Sequence, residues 1–170
     1  YRLALRAMLS QSGERTLISA LYPPNVGHMN GVRSYTYNTN EKLLNHCGFC
    51  FSILGDFLCK STGKANLHQM LDDFLWPTFR GFQQAIFARV LGLSSLNKKY
   101  EVLWNDSYDA LFNFDKWASK AKGLDELYFN GLTQYWEFKS ALRTDFERRQ
   151  ALLEIDVLVA MALGLTLEEL

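Results

Sequence analysis

Apolar and polar residues alternate with a period of two at the start of the chain. Tyr1, Leu3, Leu5, Ala7 and Leu9 fall on one side, and Arg2, Ala4, Arg6 and Met8 on the other, the pattern of a strand with one buried face. Ser10 to Glu14 is a polar connection carrying Gly13, suited to a hairpin loop with one residue at positive φ. From Arg15 to Tyr22 the alternation returns, with Leu17 and Leu21 set against Ile18, Ala20 and Tyr22. Pro23 and Pro24 stop it, since neither can donate to a ladder. This hairpin is the expected organising element. Asn25 to Val32 reads as a glycine-punctuated loop, and Arg33 to Tyr37 as a third short strand.

The period then lengthens. Thr39 or Asn40 can cap a helix, and Leu43, Cys47, Cys50, Phe51, Leu54 and Leu58 recur at helical spacing. Phe49, Ile53 and Phe57 make most of the circumference apolar. The pattern predicts one long core helix ending at Gly63, with Lys60 and Lys64 at its negative end. Asn66 to Trp76 reads as a short strand running into Pro77, and Gly81 to Leu91 as an amphipathic helix. Further helical pieces are expected around 96–104, 108–112 and 132–141. The last helix has the plainest signature: Thr144 and Glu147 form a capping box, and Leu152, Ile155, Val159 and Leu163 make its stripe before Gly164. The expected fold is α+β: a small twisted antiparallel or mixed sheet on a long apolar helix, then a mostly helical C-terminal region. The seam is placed near 76–82, giving a sheet-and-helix part at 1–80 and a helical part at 81–170.

A chain of 170 residues, 48% hydrophobic and 14% aromatic, can bury one sizeable core. No apolar run is long enough to cross a bilayer, so no membrane partner is expected. Cys47, Cys50 and Cys59 share one apolar segment, which is unlike a disulfide framework and points to a reducing, cytoplasmic location. The abrupt opening at Tyr1 and the new helix starting near Thr166 suggest an excerpt of a longer polypeptide. Net charge is zero, yet residues 1–80 carry eight Lys/Arg against five Asp/Glu, and residues 81–170 ten against thirteen. The front half is mildly cationic and the back half mildly anionic, less basic than a stand-alone nucleic-acid binder, so any polyanion is expected to be held partly by something outside the chain.

Few residues suggest chemistry. Cys47-Gly-Phe-Cys50 beside His46 offers two ligands on one apolar helix, whereas a structural zinc needs four converging tetrahedrally; core packing is the expected role. Glu137-Phe-Lys139 with Asp125 and Glu126 superficially matches a Mg²⁺-dependent nuclease, but such carboxylates project from a sheet and these lie in a helical, tryptophan-rich setting. No nucleophile triad, phosphate loop or dinucleotide fingerprint is present, so no catalytic residue is expected within the chain. The remaining polar candidates are His28, Asn30 and Arg33 around the loop, and Lys60, Lys64, Asn66 and His68 around the helix end. Asn and Arg read purine edges, while Lys neutralises phosphate. The bland alternative is a solvated loop and a dipole-matched helix end.

An ordered set of segments carries a resemblance. Tyr1-Arg2-Leu3-Ala4, Glu14-Arg15-Thr16-Leu17-Ile18 closing on Pro23-Pro24, Gly27-His28, Gly63-Lys64-Ala65-Asn66-Leu67, and the tail from Thr144 to Thr166 together resemble a specificity region of one class. That class is the target-recognition domain, with its following helical segment, of type IIG restriction–modification and phage-defence adenine-specific DNA methyltransferases. The match covers roughly residues 1–77 and 143–170. It implies that the parent protein binds S-adenosylmethionine and methylates adenine through motifs outside this chain, which itself carries no cofactor. The expected partners are double-stranded DNA and the methyltransferase domain of the same polypeptide. Arg2, Arg6, Arg33, Lys60 or Lys64 would contact phosphate, and His28, Asn30, Asn66 or His68 would contact bases. The competing expectation is a helical protein-interaction module of a defence complex that never touches DNA.

Overall fold

The computed structural model describes residues 1–67 and 76–169. Three strands, β1 (Arg2–Arg6), β2 (Ser19–Tyr22) and β3 (Val32–Tyr35), form an antiparallel sheet in the order β2-β1-β3. Among the described residues five α-helices follow: α1 (Asn40–Phe51), α2 (Ile53–Ser61), α3 (Gln83–Ser94), α4 (Glu101–Ser107) and α5 (Asp145–Ala162). The chain is therefore α+β. The expected strand over Asn66–Trp76 lies largely outside the described residues, as does His68.

β1 is the centre of the sheet. Leu3 pairs with Leu21 and Tyr35, and Leu5 with Ser19 and Arg33. Leu3, Leu5 and Leu21 pass to the core, each at most 4% exposed. β2 and β3 flank β1 on opposite sides and both run against it. The segment 23–31 must therefore travel back along β1, from beside Arg2 to beside Arg6, across the sheet face that carries Arg2, Ala4 and Arg6. This crossover is a connection the alternation alone does not reveal.

The second strand is shorter than the alternation predicts. The N–H groups of Thr16 and Leu17 both donate to Asp56 Oδ1, at 2.6 Å each, so residues 15–17 give up ladder geometry for a buried carboxylate.

The single long apolar helix is corrected to two. Ser52 is extended (φ −79°, ψ 155°) and serves both helices: its N–H donates to the Phe49 carbonyl at the end of α1, and its Oγ accepts from Gly55 N at the start of α2. The break is fixed from a distance as well, because Asp156 on α5 accepts the Ile53 N–H at 2.6 Å. Gly55 is required by closeness. A Cβ there would lie 2.3 Å from the Phe49 carbonyl oxygen.

α1 occupies the middle of the protein, with β1 and β2 on one side and α3 and α5 on the other. Gly48 on α1 lets α3 approach; a Cβ at this position would fall 2.6 Å from Ile86 Cγ2. Every residue from Ile86 to Leu93 on α3 is buried, which no amphipathic reading anticipates. One continuous core includes Leu5, Leu44 and Phe49 together with Ile86, Leu91 and Ile155, so residues from both sides of the expected seam share it.

Among the described residues the buried charged side chains are Asp56, Arg89, Glu154 and Asp156, and Arg89 is the cation of the set. Arg89, 3% exposed, donates to Glu154 Oε2 (2.7 Å), to Asp115 Oδ2 (2.5 Å) and to the carbonyls of Ala85 and Lys116. Its guanidinium carbon lies 4.8 Å from the Phe129 ring centre. Glu154 also accepts from Ala118 N and Gln150 Nε2. This network ties α3, α5 and the irregular stretch 115–118 together. A buried ion is tolerable when each polar atom finds a partner. The capping box at Thr144 and Glu147 forms as its spacing predicts and opens α5.

Candidate nucleic-acid interface

The crossover segment 23–31 is fastened at both ends. Arg2 donates to the Val26 carbonyl and, at 3.4 Å, to Ser34 Oγ. His28 Nε2 shares a hydrogen bond with the same Ser34 Oγ at 2.8 Å, and its ring meets the edge of Tyr22. Further on, Ala7 N donates to the Gly31 carbonyl at 2.9 Å. Asn25 takes a positive φ of 60° at the turn into the segment, a conformation Asn tolerates better than most residues. Gly27, His28, Met29, Asn30 and Gly31 are all exposed. The result is a braced loop with polar and flexible side chains at its tip.

The sheet extends the site beyond this loop. Past the end of β1, Leu67 N donates to the Ala7 carbonyl and Leu9 N to the Ala65 carbonyl, so Asn66 bridges Met8. Gly31 and Leu67 thus both bond Ala7. Asn30 and Asn66, each one position from these bonds, are brought to the same part of the sheet. Lys64 and Lys60 continue outward along the same rim: Gln11 Nε2 donates to the Lys64 carbonyl, and Lys60 Nζ to the Gly13 carbonyl. Arg6 completes the rim, its Nε donating to the Met8 carbonyl at 2.9 Å.

The sequence-expected residues therefore divide. Asn30 and Asn66 adjoin the residues bonded to Ala7, Arg6 bonds the Met8 carbonyl, and Lys60 and Lys64 meet the 11–13 turn. Arg2 and His28 lie beneath and within the loop as its fasteners. Arg33 pairs with Leu5, and by strand parity it leaves the sheet on the helix-packed side, at the β3 edge. His68 is outside the described residues. Among the described residues no carboxylate lies within 4.0 Å of Arg2, Arg6, Arg33, Lys60 or Lys64. Cations without acidic partners leave a positive potential available to a polyanion.

The competing chemical readings have structural roles. Cys47, Cys50 and Cys59 are buried, and burial raises all three thiols, Cys59 to about 11. They are core residues, disfavoured as thiolates. His46 stacks on Trp76 with ring centres 3.8 Å apart and meets Tyr37 edge-on. Burial, with a smaller contribution from Lys42, lowers its pKa to about 4. Glu137 pairs with Lys139 at 3.3 Å and caps a short 3-10 turn at 138–140, and Asp125 caps Leu127 N. These carboxylates stabilise turns away from the sheet.

Two structural residues escaped sequence reading: Ser34, which receives both loop fasteners, and Asp56, which ends β2. Each is a small polar residue whose importance depends on partners remote in sequence. No family model matches the chain, and neither the curated proteins nor the solved structures give a significant match to it. Among the described residues, no helix is long and apolar enough to cross a membrane.

Proposed function

We propose that this chain selects the DNA sequence acted on by a larger S-adenosylmethionine-dependent adenine methyltransferase, as its target-recognition region. One observation carries the reading: a braced, exposed loop bordered by cations that, among the described residues, have no carboxylate partner. The loop's short polar tip suits a base edge, while Arg6, Lys60 and Lys64 suit the flanking phosphates. Asn30 and Asn66 are the base-reading candidates, and Arg2 and His28 hold the loop that carries Asn30. Arg33, at the β3 edge, would meet phosphate from the side. The reaction itself belongs to residues outside this chain.

The test is a fluorescence-anisotropy titration of labelled duplex over a salt series. Affinity should fall linearly on a log–log plot, and Lys60→Ala or Lys64→Ala should each reduce the slope by about one unit. In the full-length protein, Asn30→Ala should change the set of methylated sites while S-adenosylmethionine still binds. Binding that ignores salt, or an unchanged site set, would overturn the proposal.

A second reading has its own support. Leu153, Val157 and Met161 recur on α5, and Ile53 and Phe57 on α2, each at least 46% exposed. Such faces suit a protein partner, including the methyltransferase domain. If the chain binds no duplex at low salt yet loses partner binding on Val157→Asp, the interaction module is the better description.

A further inference from the structure

A cavity of about 420 Å³ opens beside the edge strand β2, between the ends of α1 and α3 and the start of α5. Small-molecule sites commonly fall between about 300 and 1,000 Å³. Its walls are largely apolar, with Leu17, Leu21, Phe51, Leu93 and Leu152 prominent. Two cations line it, Arg15 and Arg148, and among the described residues no carboxylate does. Arg15 is already matched, its guanidinium donating to Asp156 at 3.3 Å. Arg148 differs. One of its terminal nitrogens donates to the carbonyls of Leu93 and Leu142, at 3.0 Å each. Among the described residues no carboxylate lies within 4.0 Å of it. The arginine is thereby held in place, and among the described residues its charge is unmatched and its remaining N–H groups have no hydrogen-bond partner.

The backbone of β2 adds direction. Arg6 N donates to the Ile18 carbonyl, so the pairing alternation turns the N–H and C=O of Ser19 away from β1, on the side where Ser19 lines the cavity. One outward group on each neighbour is occupied: Leu17 N by Asp56, and the Leu21 carbonyl by the Tyr100 hydroxyl. Among the described residues of this edge Ser19 keeps both outward groups open while its neighbours each have one taken, so the edge does not suit an added strand. It suits a short polar head.

We infer that this cavity is a binding site for a small apolar carboxylic acid, with its carboxylate between Arg148 and the Ser19 N–H and its hydrocarbon body along Leu21, Phe51, Leu93 and Leu152. A fixed guanidinium beside a largely apolar wall discriminates an anion from its neutral analogue, because charge-assisted hydrogen bonds there are not diluted by water. The site is separate from the proposed DNA rim, and neither proposal depends on the other.

The test is titration of the isotope-labelled chain with decanoate and with decanamide, followed by amide chemical shifts. Decanoate should perturb Ser19, Leu21, Leu93 and Leu152, and decanamide should bind at least about tenfold more weakly. Arg148→Gln should remove this preference. Ser94→Phe, which fills the cavity from its wall, should abolish decanoate binding. If Arg148→Gln fails to fold, the comparison of acid and amide on the native chain decides alone. No perturbation by decanoate, equal affinity for the two compounds, or shifts centred on the exposed α2 and α5 side chains would each overturn the inference.

Discussion

Arg2 reads in the sequence as a cation for phosphate, and in the fold its guanidinium turns onto Val26 and Ser34. Its expected influence on DNA is therefore indirect, through the loop it holds. Arg2→Gln should cost about 1 kcal/mol of stability in urea unfolding and raise the mobility of residues 25–31 measured by amide relaxation. His46 supplies a second test at this scale. Its imidazole is held down to about 4 by burial, so between about pH 6.5 and pH 4 the unfolded chain binds a proton that the folded chain refuses. Stability should decline as pH falls through that window and level off below it. Urea melts across the range, repeated on His46→Phe, should show a flatter profile for the variant. The sequence displays His46 only as a neighbour of Cys47; the stack on Trp76 depends on a residue thirty positions away.

At the scale of elements, periodicity identified strand β1 and helix α5 well because each is specified locally, by alternation in one case and by the Thr144–Glu147 box in the other. It missed the division between α1 and α2. Ser52 occupies a position that fits an apolar helix of nearly uniform circumference, and the interaction that fixes the break comes from Asp156, 103 residues after the Ile53 whose N–H it accepts. Ser52→Ala should cost about 1–2 kcal/mol as a lost buried cap. Gly55→Ala should be worse, since its new methyl meets the Phe49 carbonyl and the backbone must move; thermal unfolding of the two variants gives the order. β2 shortened for the same kind of reason, with Asp56 taking the N–H groups of Thr16 and Leu17. Elements were legible where their determinants lie within a turn or two, and misread where a distant carboxylate intervenes.

For the whole molecule, Arg89 is the joint between the helices and the irregular C-terminal stretches. Arg89→Ala leaves Asp115 and Glu154 without their cation and should cost about 3–5 kcal/mol, measurable as a lower urea midpoint. The candidate rim was partly legible. Glycine and asparagine announced the loop, and the lysines announced a cationic end, but only the strand order β2-β1-β3 brings Gly31 and Leu67 onto the same residue, Ala7. The crossover that creates this meeting has one more consequence. Between its two fastenings, Gly27 and Gly31 each have open space where a side chain would stand, and nothing from Gly27 to Asn30 enters the core. Apart from His28, which bonds Ser34, the span can therefore change its side chains without disturbing the hydrophobic interior.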